Sequence, residues 1–434
     1  MATDNRSTTD ATGGGGRRER RSTRAFWTVA AGVGVVLAAN STPTPLYVNY
    51  QERWGFSATT LTAVFAMYAV GVLVALLLVG GLSDRVGRRP VLLGSICLLI
   101  ASYVLFLAAG SVGWLYVARA VQGLATGVFT GVASAALVDL HPRGDHRTAG
   151  LVNSTAMPCG LAVGATVSGT LAQWGPSPLR TPFLALAGLS LALLVAIVCW
   201  VPETVRLSPR RWSRVLRLQP LRVPAETRRE FLIAGTGVAV AWAVGGLYLG
   251  LGGSLVKELL HGSNPFISGL VILSMQGVAA LAQLTWTLRW GAVSDGITSA
   301  FGCTALLLGM LTVSGALLAD SPALFFTGSA MTGVGFGLTF MGSTRRITQA
   351  APVARRGETL AAFFVVAYLA FSLPAILAGF LSTRFGLTHT FYAFATLTAL
   401  LATLTALRSI HLARSPHRLS EAAARGGPNP RARV

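Results

Sequence analysis

Twelve apolar runs, each about long enough to cross a bilayer, constrain this chain more than any other feature. About 20 helical residues, rising 1.5 Å each, cover a hydrocarbon core of about 30 Å. The runs occupy residues 26–48, 59–79, 91–110, 112–139, 149–173, 181–201, 231–255, 266–287, 300–318, 322–343, 359–382 and 390–408. A segment in lipid must satisfy its own backbone hydrogen bonds, so each run is expected to be a helix. Only 12% of the 434 residues are charged and 53% are hydrophobic. A soluble domain needs about twice that charged fraction to cover its surface. An all-α membrane protein with twelve transmembrane helices follows.

The net charge is +20, which in a soluble protein would suggest nucleic acid. Its placement says otherwise. With an inside N-terminus, 30 of the 35 Lys and Arg fall on the cytoplasmic side. Arg53, Arg180, Lys257 and Arg384 fall outside, and Arg119 lies within a run. That is the positive-inside bias, and it predicts both termini in the cytoplasm and an even number of spans. The basic tails read as topology signals that meet anionic lipid, not nucleic acid. Arginine outnumbers lysine 34 to 1, as in GC-rich bacterial coding, so a bacterial cytoplasmic membrane is expected.

Residues 1–24 are polar, carry Gly13 to Gly16 in a row, and are expected to be disordered. The first run is long, lacks a convincing cleavage site and precedes eleven more, so it reads as an uncleaved helix and not a signal peptide. The longest internal polar stretch, 203–230, divides the runs six and six. The organisation expected is an N-terminal bundle at 25–202, a basic cytoplasmic linker at 203–230, a C-terminal bundle at 231–408 and a disordered tail at 409–434. The halves echo one another. Gly80-Gly81-Leu82-Ser83-Asp84 is matched by Gly291-Ala292-Val293-Ser294-Asp295, Gly123 and Gly127 by Gly333 and Gly337, and Pro158 by Pro374. Parallel six-helix repeats of this kind hold a substrate site between the halves near the bilayer midplane.

The echoed loop extends to Gly80-Gly81-Leu82-Ser83-Asp84-Arg85-Val86-Gly87-Arg88-Arg89, between the second and third runs. It resembles the G-x-L-x-D-R-x-G-R-R signature of the major facilitator superfamily of transporters, at the position that family gives it. The resemblance implies two pseudo-symmetric six-helix bundles and movement of a solute across the membrane. It also implies a gating role, with this loop tying helix ends together in one state and releasing them in the other. Gly80 and Gly87 permit close turns. Asp84, Arg85, Arg88 and Arg89 supply the charges, and Asp139 at the end of the fourth run is the partner carboxylate. The bland alternative is a solvated positive-inside loop.

Arg119-Ala120-Val121-Gln122-Gly123 is similar to the R-x-x-Q-G pattern in the family's fourth helix. An ionisable side chain inside a bilayer is a functional candidate by default, and Arg119 and Gln122 share one helix face. The resemblance implies a role in substrate or proton coupling. Alternatively, Arg119 only bonds backbone carbonyls of the first helix or snorkels outward. The fifth run matches the family's drug–proton antiporter pattern in Gly160, Gly164 and Gly169, but Ala165 replaces the proline and Ser168 a glycine. In the first run, Pro43 and Pro45 remove backbone donors, so its outer end should kink or unwind, leaving Asn40 just inward of the break as a further candidate to reach the substrate cavity.

Polar and aromatic residues placed to line a cavity include Asn153, Trp242, Gln276 and Tyr368, with Tyr68, Tyr248, Gln283 and Phe340. Aromatic walls with a few amides suit a large amphipathic or aromatic small molecule. Apart from Asp139, no run contains Asp, Glu or His, so protons, if coupled, are expected to act at Asp84 and Asp139 on one rim or Glu52 on the other.

The four cysteines suit neither a metal site nor a disulfide scaffold, and no cofactor is expected. No Ser/His/Asp set, phosphate-binding loop or ATPase motif argues for an enzyme. The expected function is a monomeric secondary transporter working by alternating access, exporting amphipathic drugs or metabolites. Two alternatives stay open: uptake of an anionic nutrient through Arg119, and a non-transporting sensor acting through its basic segments.

Overall fold

The computed structural model describes residues 10–79, 86–142, 146–204, 221–262, 264–291, 293–352 and 355–413. Among the described residues there is no strand, and twelve helical spans are long and apolar enough to cross a membrane. In order they are Ser22–Trp54, Ala58–Leu77, Arg88–Leu107, Val112–Leu140, Gly150–Trp174 and Thr181–Trp200. After the linker come Ala225–Leu259, Pro265–Trp290, Asp295–Leu318, Pro322–Ala350, Arg356–Phe385 and Leu387–Arg408. They form two six-helix bundles. Several spans overrun their apolar runs by a turn or more. The tenth continues through Arg345 and Arg346 to Ala350, because long basic side chains keep their stems on the helix while their heads reach the rim.

Two boundaries differ from expectation. The first helix begins at Asp10, so residues 10–24, expected to be disordered, are helical. Extending a helix already nucleated by packed residues avoids the cost of a new nucleus, although each glycine of the run disfavours it by about 1 kcal/mol. At the other end the twelfth helix continues to Ala413 before the described residues stop.

Lipid gives apolar helices no hydrophobic reason to associate, so close backbone approach and polar contacts must hold the bundle together. The second and fourth spans meet where a Cβ on Gly123 would collide with the carbonyl oxygen of Tyr68. The eighth and tenth meet in the same way, with Gly333 against the carbonyl of Met275. Hydroxyl caps repeat as well. Ser22 Oγ donates to the Leu140 carbonyl (2.7 Å), joining the first and fourth spans, and Thr227 Oγ1 donates to that of Ala350 (3.4 Å), joining the seventh and tenth. The repeat glimpsed as scattered residues is thus a repeat of contacts.

The end of the molecule bearing most of the arginines is called here the basic face. The two halves join at the opposite, far face. There Thr59 Oγ1 donates to the Gly379 carbonyl at 3.3 Å, linking the second and eleventh spans. Trp174 packs edge-on against Phe266 with ring centres 5.0 Å apart, linking the fifth and eighth. Lys257, the single lysine of the chain, reaches Glu52 at 2.9 Å across the same divide.

Gly131 faces open space whereas Gly123 faces backbone. Gly123→Val should therefore destabilise the purified protein by about 1–3 kcal/mol, lowering its melting temperature in thermal unfolding, while Gly131→Ala leaves it unchanged.

Candidate functional site

The first span carries the most consequential irregularity. Its helix runs to Ser41, unwinds through Thr42 and Pro43, turns once as a 3-10 helix over Thr44–Leu46, and resumes over Tyr47–Trp54. A helix that ends leaves its last carbonyls without partners. Pro43 has no N–H to give the Ala39 carbonyl four residues back. The fourth span supplies what is missing. Gln122 Nε2 donates to the Ala39 carbonyl at 2.8 Å, and Arg119 Nη1 donates to the Asn40 carbonyl at 2.9 Å. Arg119 Nη1 also donates to Gln122 Oε1 (2.6 Å), and Nη2 reaches Asn40 Oδ1 at 3.4 Å.

Arg119 and Gln122 are both fully buried. The guanidinium lies over the faces of Tyr68 and Phe65, 4.9 and 5.5 Å from the ring centres. Carbonyl dipoles at a helix C-terminus and two π faces are the environment that tolerates a buried cation without a carboxylate partner. Arg119 therefore caps the first helix, and bonds the side chains of Gln122 and Asn40 as well as backbone.

Beside this cap lies a narrow cleft at the centre of the protein. It is lined by Leu37, Asn40, Tyr68, Met157 and Leu161 of the N-terminal half and Trp242, Gln276, Phe336, Tyr368 and Phe371 of the C-terminal half. Its free volume is about 20 Å3, room for roughly one water, so its walls nearly touch in this conformation. Backbone irregularities surround it. Asn40 precedes the break in the first span, Met157 precedes Pro158 within its helix, and Gln276 lies in a five-residue π turn, Leu273–Gly277. Trp242 holds the aromatic side together, with ring centres 4.9 Å from Tyr368, 5.6 Å from Phe340 and 5.7 Å from Phe371.

Of the proposed binding residues, Asn40, Trp242, Gln276 and Tyr368 line the cleft. Arg119 and Gln122 lie behind its wall, and Asn153 is a half-buried residue outside the lining. Gln283 donates to the Gly337 carbonyl (3.1 Å) and Tyr248 pairs with Ser329 (3.1 Å), so both serve packing inside the C-terminal half. Phe336 and Phe371 were missed, since nothing separates a cleft phenylalanine from a packing one in an apolar run.

At the basic face, Gly80, Asp84 and Arg85 lie outside the described residues. So do Gly81, Leu82 and Ser83, while the described end of the loop, from Val86 to Arg89, is anchored. Arg88 forms an ion pair with Asp139, joining the third and fourth spans. Glu203, just past the sixth span, accepts from the backbone N–H groups of Arg88 (3.0 Å) and Arg89 (3.1 Å). A carboxylate there satisfies orphan donors and complements the helix dipole. Gly87 has φ +102°, and any side chain on it would strike that carboxylate. Glu203 was overlooked in the sequence because it lies 114 residues from its partner Arg89. In the C-terminal half Arg346 Nε pairs with Glu230 at 2.7 Å. Each of these basic-face ion pairs stays within one half.

The family model of the Major Facilitator Superfamily matches residues 29–316, and the chain belongs to that superfamily. It is a multi-pass membrane transporter and not an enzyme. Among curated relatives, the class C tetracycline resistance protein of Escherichia coli is 33% identical over 34% of this chain, so the chain spans 36% of that relative's length. The class E protein of Escherichia coli is 26% identical over 66% of this chain and 70% of its own. A 3-(3-hydroxy-phenyl)propionate transporter of Escherichia coli K12 is 26% identical over 67% of this chain and 68% of its own. Among solved structures, a bacterial homologue of the human lysosomal transporter Spinster superposes with a TM-score of 0.69 at 12% identity. It covers 90% of this chain and 97% of that one, a likeness of fold.

Gln122→Leu leaves the Ala39 carbonyl buried without a partner and should cost about 1–3 kcal/mol of stability. Pro43→Ala returns an N–H to that carbonyl. In a double-mutant cycle followed by thermal unfolding, Gln122→Leu should cost less in the Pro43→Ala background than in the native one.

Proposed function

We propose that this chain is a gradient-driven exporter of amphipathic or aromatic compounds, working by alternating access as a monomer. The observation that carries this reading is the central cleft, whose lining is shared equally, five residues from each half. A site shared in this way changes its exposure when the halves rock about it. One chain supplies both walls, so no second copy is needed. The far-face contacts of Thr59, Trp174 and Lys257 join the halves, while Arg88–Asp139 and Arg346–Glu230 each brace one half at the basic face. Such an arrangement fits a state sealed at the far face. The positive-inside bias supports placing the basic face and both termini in the cytoplasm.

Export is supported by the similarity to tetracycline resistance proteins and by the aromatic, uncharged lining. With no ATPase motif in the sequence, the energy is assigned to an ion gradient, and protons are the proposed coupling ion. Their candidate carriers are rim carboxylates, Asp84 and Asp139 at the basic face and Glu52 at the far face. The loop at Gly80–Arg89 is the proposed basic-face gate, with Glu203 as an added member. A second reading, uptake of an organic anion, is favoured by the similarity to the 3-(3-hydroxy-phenyl)propionate transporter. It requires Arg119 to release the first helix before it meets a substrate.

Accumulation of a lipophilic fluorescent dye in pump-deficient bacteria tests export. Cells expressing the chain should accumulate less dye, and the difference should vanish with a protonophore and with Asp84→Asn. Unchanged accumulation with membrane expression confirmed would overturn broad export and favour anion uptake. Asp139→Asn, which removes the partner of Arg88, should slow export about tenfold, as expected for loss of a charge-assisted hydrogen bond, with dye affinity little changed.

A further inference from the structure

Three buried polar atoms of the cleft lining have no hydrogen-bond partner: Tyr68 Oη on the N-terminal wall and two on the C-terminal wall, which complement each other as donor and acceptor. Trp242 Nε1, a donor, and Gln276 Oε1, an acceptor, are buried and have no hydrogen-bond partner. Their residues are only 2% and 1% exposed, yet both line the cleft. An unmet buried donor or acceptor is costly and calls for an explanation. Packing accidents explain them poorly. Gln276 lies in the π turn of the eighth span, a distortion frequent at functional sites. The indole of Trp242 is fixed by aromatic neighbours on several sides, so its N–H is a preorganised donor.

Charge is missing from the same wall: none of the ten lining residues is Asp, Glu, Lys, Arg or His. An ion entering the cleft would lose its hydration with no charged partner in reach. Arg119 is not among the lining residues: its Nη1 and Nη2 are engaged by Asn40 and Gln122, and only its Nε is without a partner.

We infer that the cleft selects an uncharged aromatic molecule that offers a hydrogen-bond acceptor to Trp242 and a donor to Gln276. The inference rests on the reading of this cleft as the transport site. It narrows the substrate from amphipathic compounds in general to neutral rings with paired donor and acceptor, such as aromatic lactams and amides. Sites that pair buried polar groups with a ligand discriminate strongly against analogues lacking the match, because the site's own groups are then stranded.

Four ring-matched probes test it on the purified full-length protein in lipid nanodiscs, by equilibrium dialysis. They are 2-quinolone (acceptor and donor), 1-methyl-2-quinolone (acceptor only), quinoline-2-carboxylate (anion) and 1-methylquinolinium (cation). The native protein should bind 2-quinolone most tightly of the four. Gln276→Leu should weaken 2-quinolone by about tenfold, the worth of one hydrogen bond, and leave 1-methyl-2-quinolone unaffected. Trp242→Phe, which keeps the ring and removes the N–H, should weaken both lactams alike. Size-exclusion elution reports whether each variant is folded. Tighter binding of either ion, equal loss of both lactams with Gln276→Leu, or no binding of 2-quinolone by the native protein would overturn the inference. Each of these leaves the export reading to the cellular dye measurement, which depends on flux and not on these two atoms.

Discussion

The capping of the first helix by the fourth is the contact on which the centre of this protein depends. In lipid, a broken helix is ruinous unless other groups take up the freed backbone. Pro43 breaks the first span, and Gln122 and Arg119 accept the consequence at the carbonyls of Ala39 and Asn40. The exchange works in both directions. A buried guanidinium is expensive without compensation, and a helix C-terminus offers partial negative charge where it is needed. The break and the arginine are each unfavourable alone, and they offset one another. The break in turn sets Asn40 at the edge of the cleft, and the cap holds the second span's Tyr68 ring under the guanidinium.

The second constraint is backbone proximity. Gly123 against Tyr68 and Gly333 against Met275 bring two helix pairs so close that no larger residue fits either position. Both contacts adjoin the cleft, since Tyr68 lines it and Met275 precedes Gln276. Tight packing of helices inside each half favours movement of that half as a unit, which the proposed rocking would require. The small residues thus bear on function through mechanics, without touching a ligand.

Much of the fold was legible because the bilayer imposes length, composition and charge asymmetry on any chain crossing it. The twelve runs, the six-and-six division and the break at Pro43 all follow from constraints that act locally along the sequence. The site was legible only in part. Asn40, Trp242, Gln276 and Tyr368 stood out as polar or large residues in apolar runs, and all four line the cleft. Asn153 met the same criterion and lies outside the lining, because polarity in a run does not say which way a helix faces. Phe336 and Phe371 carried no signal at all. The π turn that places Gln276 leaves no trace in composition; its Met275 carbonyl lies against Gly333 of the tenth span, a contact between residues far apart in the chain. Glu203 was hidden because its partners are close only once six helices have folded.

Arg119 apart, the charges of this chain stand toward its rims and the lining of the cleft is uncharged, a division that bears on how the proposed coupling would work. A carboxylate at the centre would bind a proton and a cationic substrate in competition, at one place. Here two rim carboxylates, Asp139 and Glu52, are paired with Arg88 and Lys257 at opposite ends of the molecule. Protonating either one weakens an ion pair that braces a rim, without entering the cleft. On the proposed transport reading the ligand's contribution would be separate: it would bridge two walls that nearly meet, one from each half. On the same reading the rim carboxylates would bias which face is sealed, and the aromatic centre would respond to what is bound. The two meet through the packed helices between them, chief among them the first, whose broken end is held by Arg119.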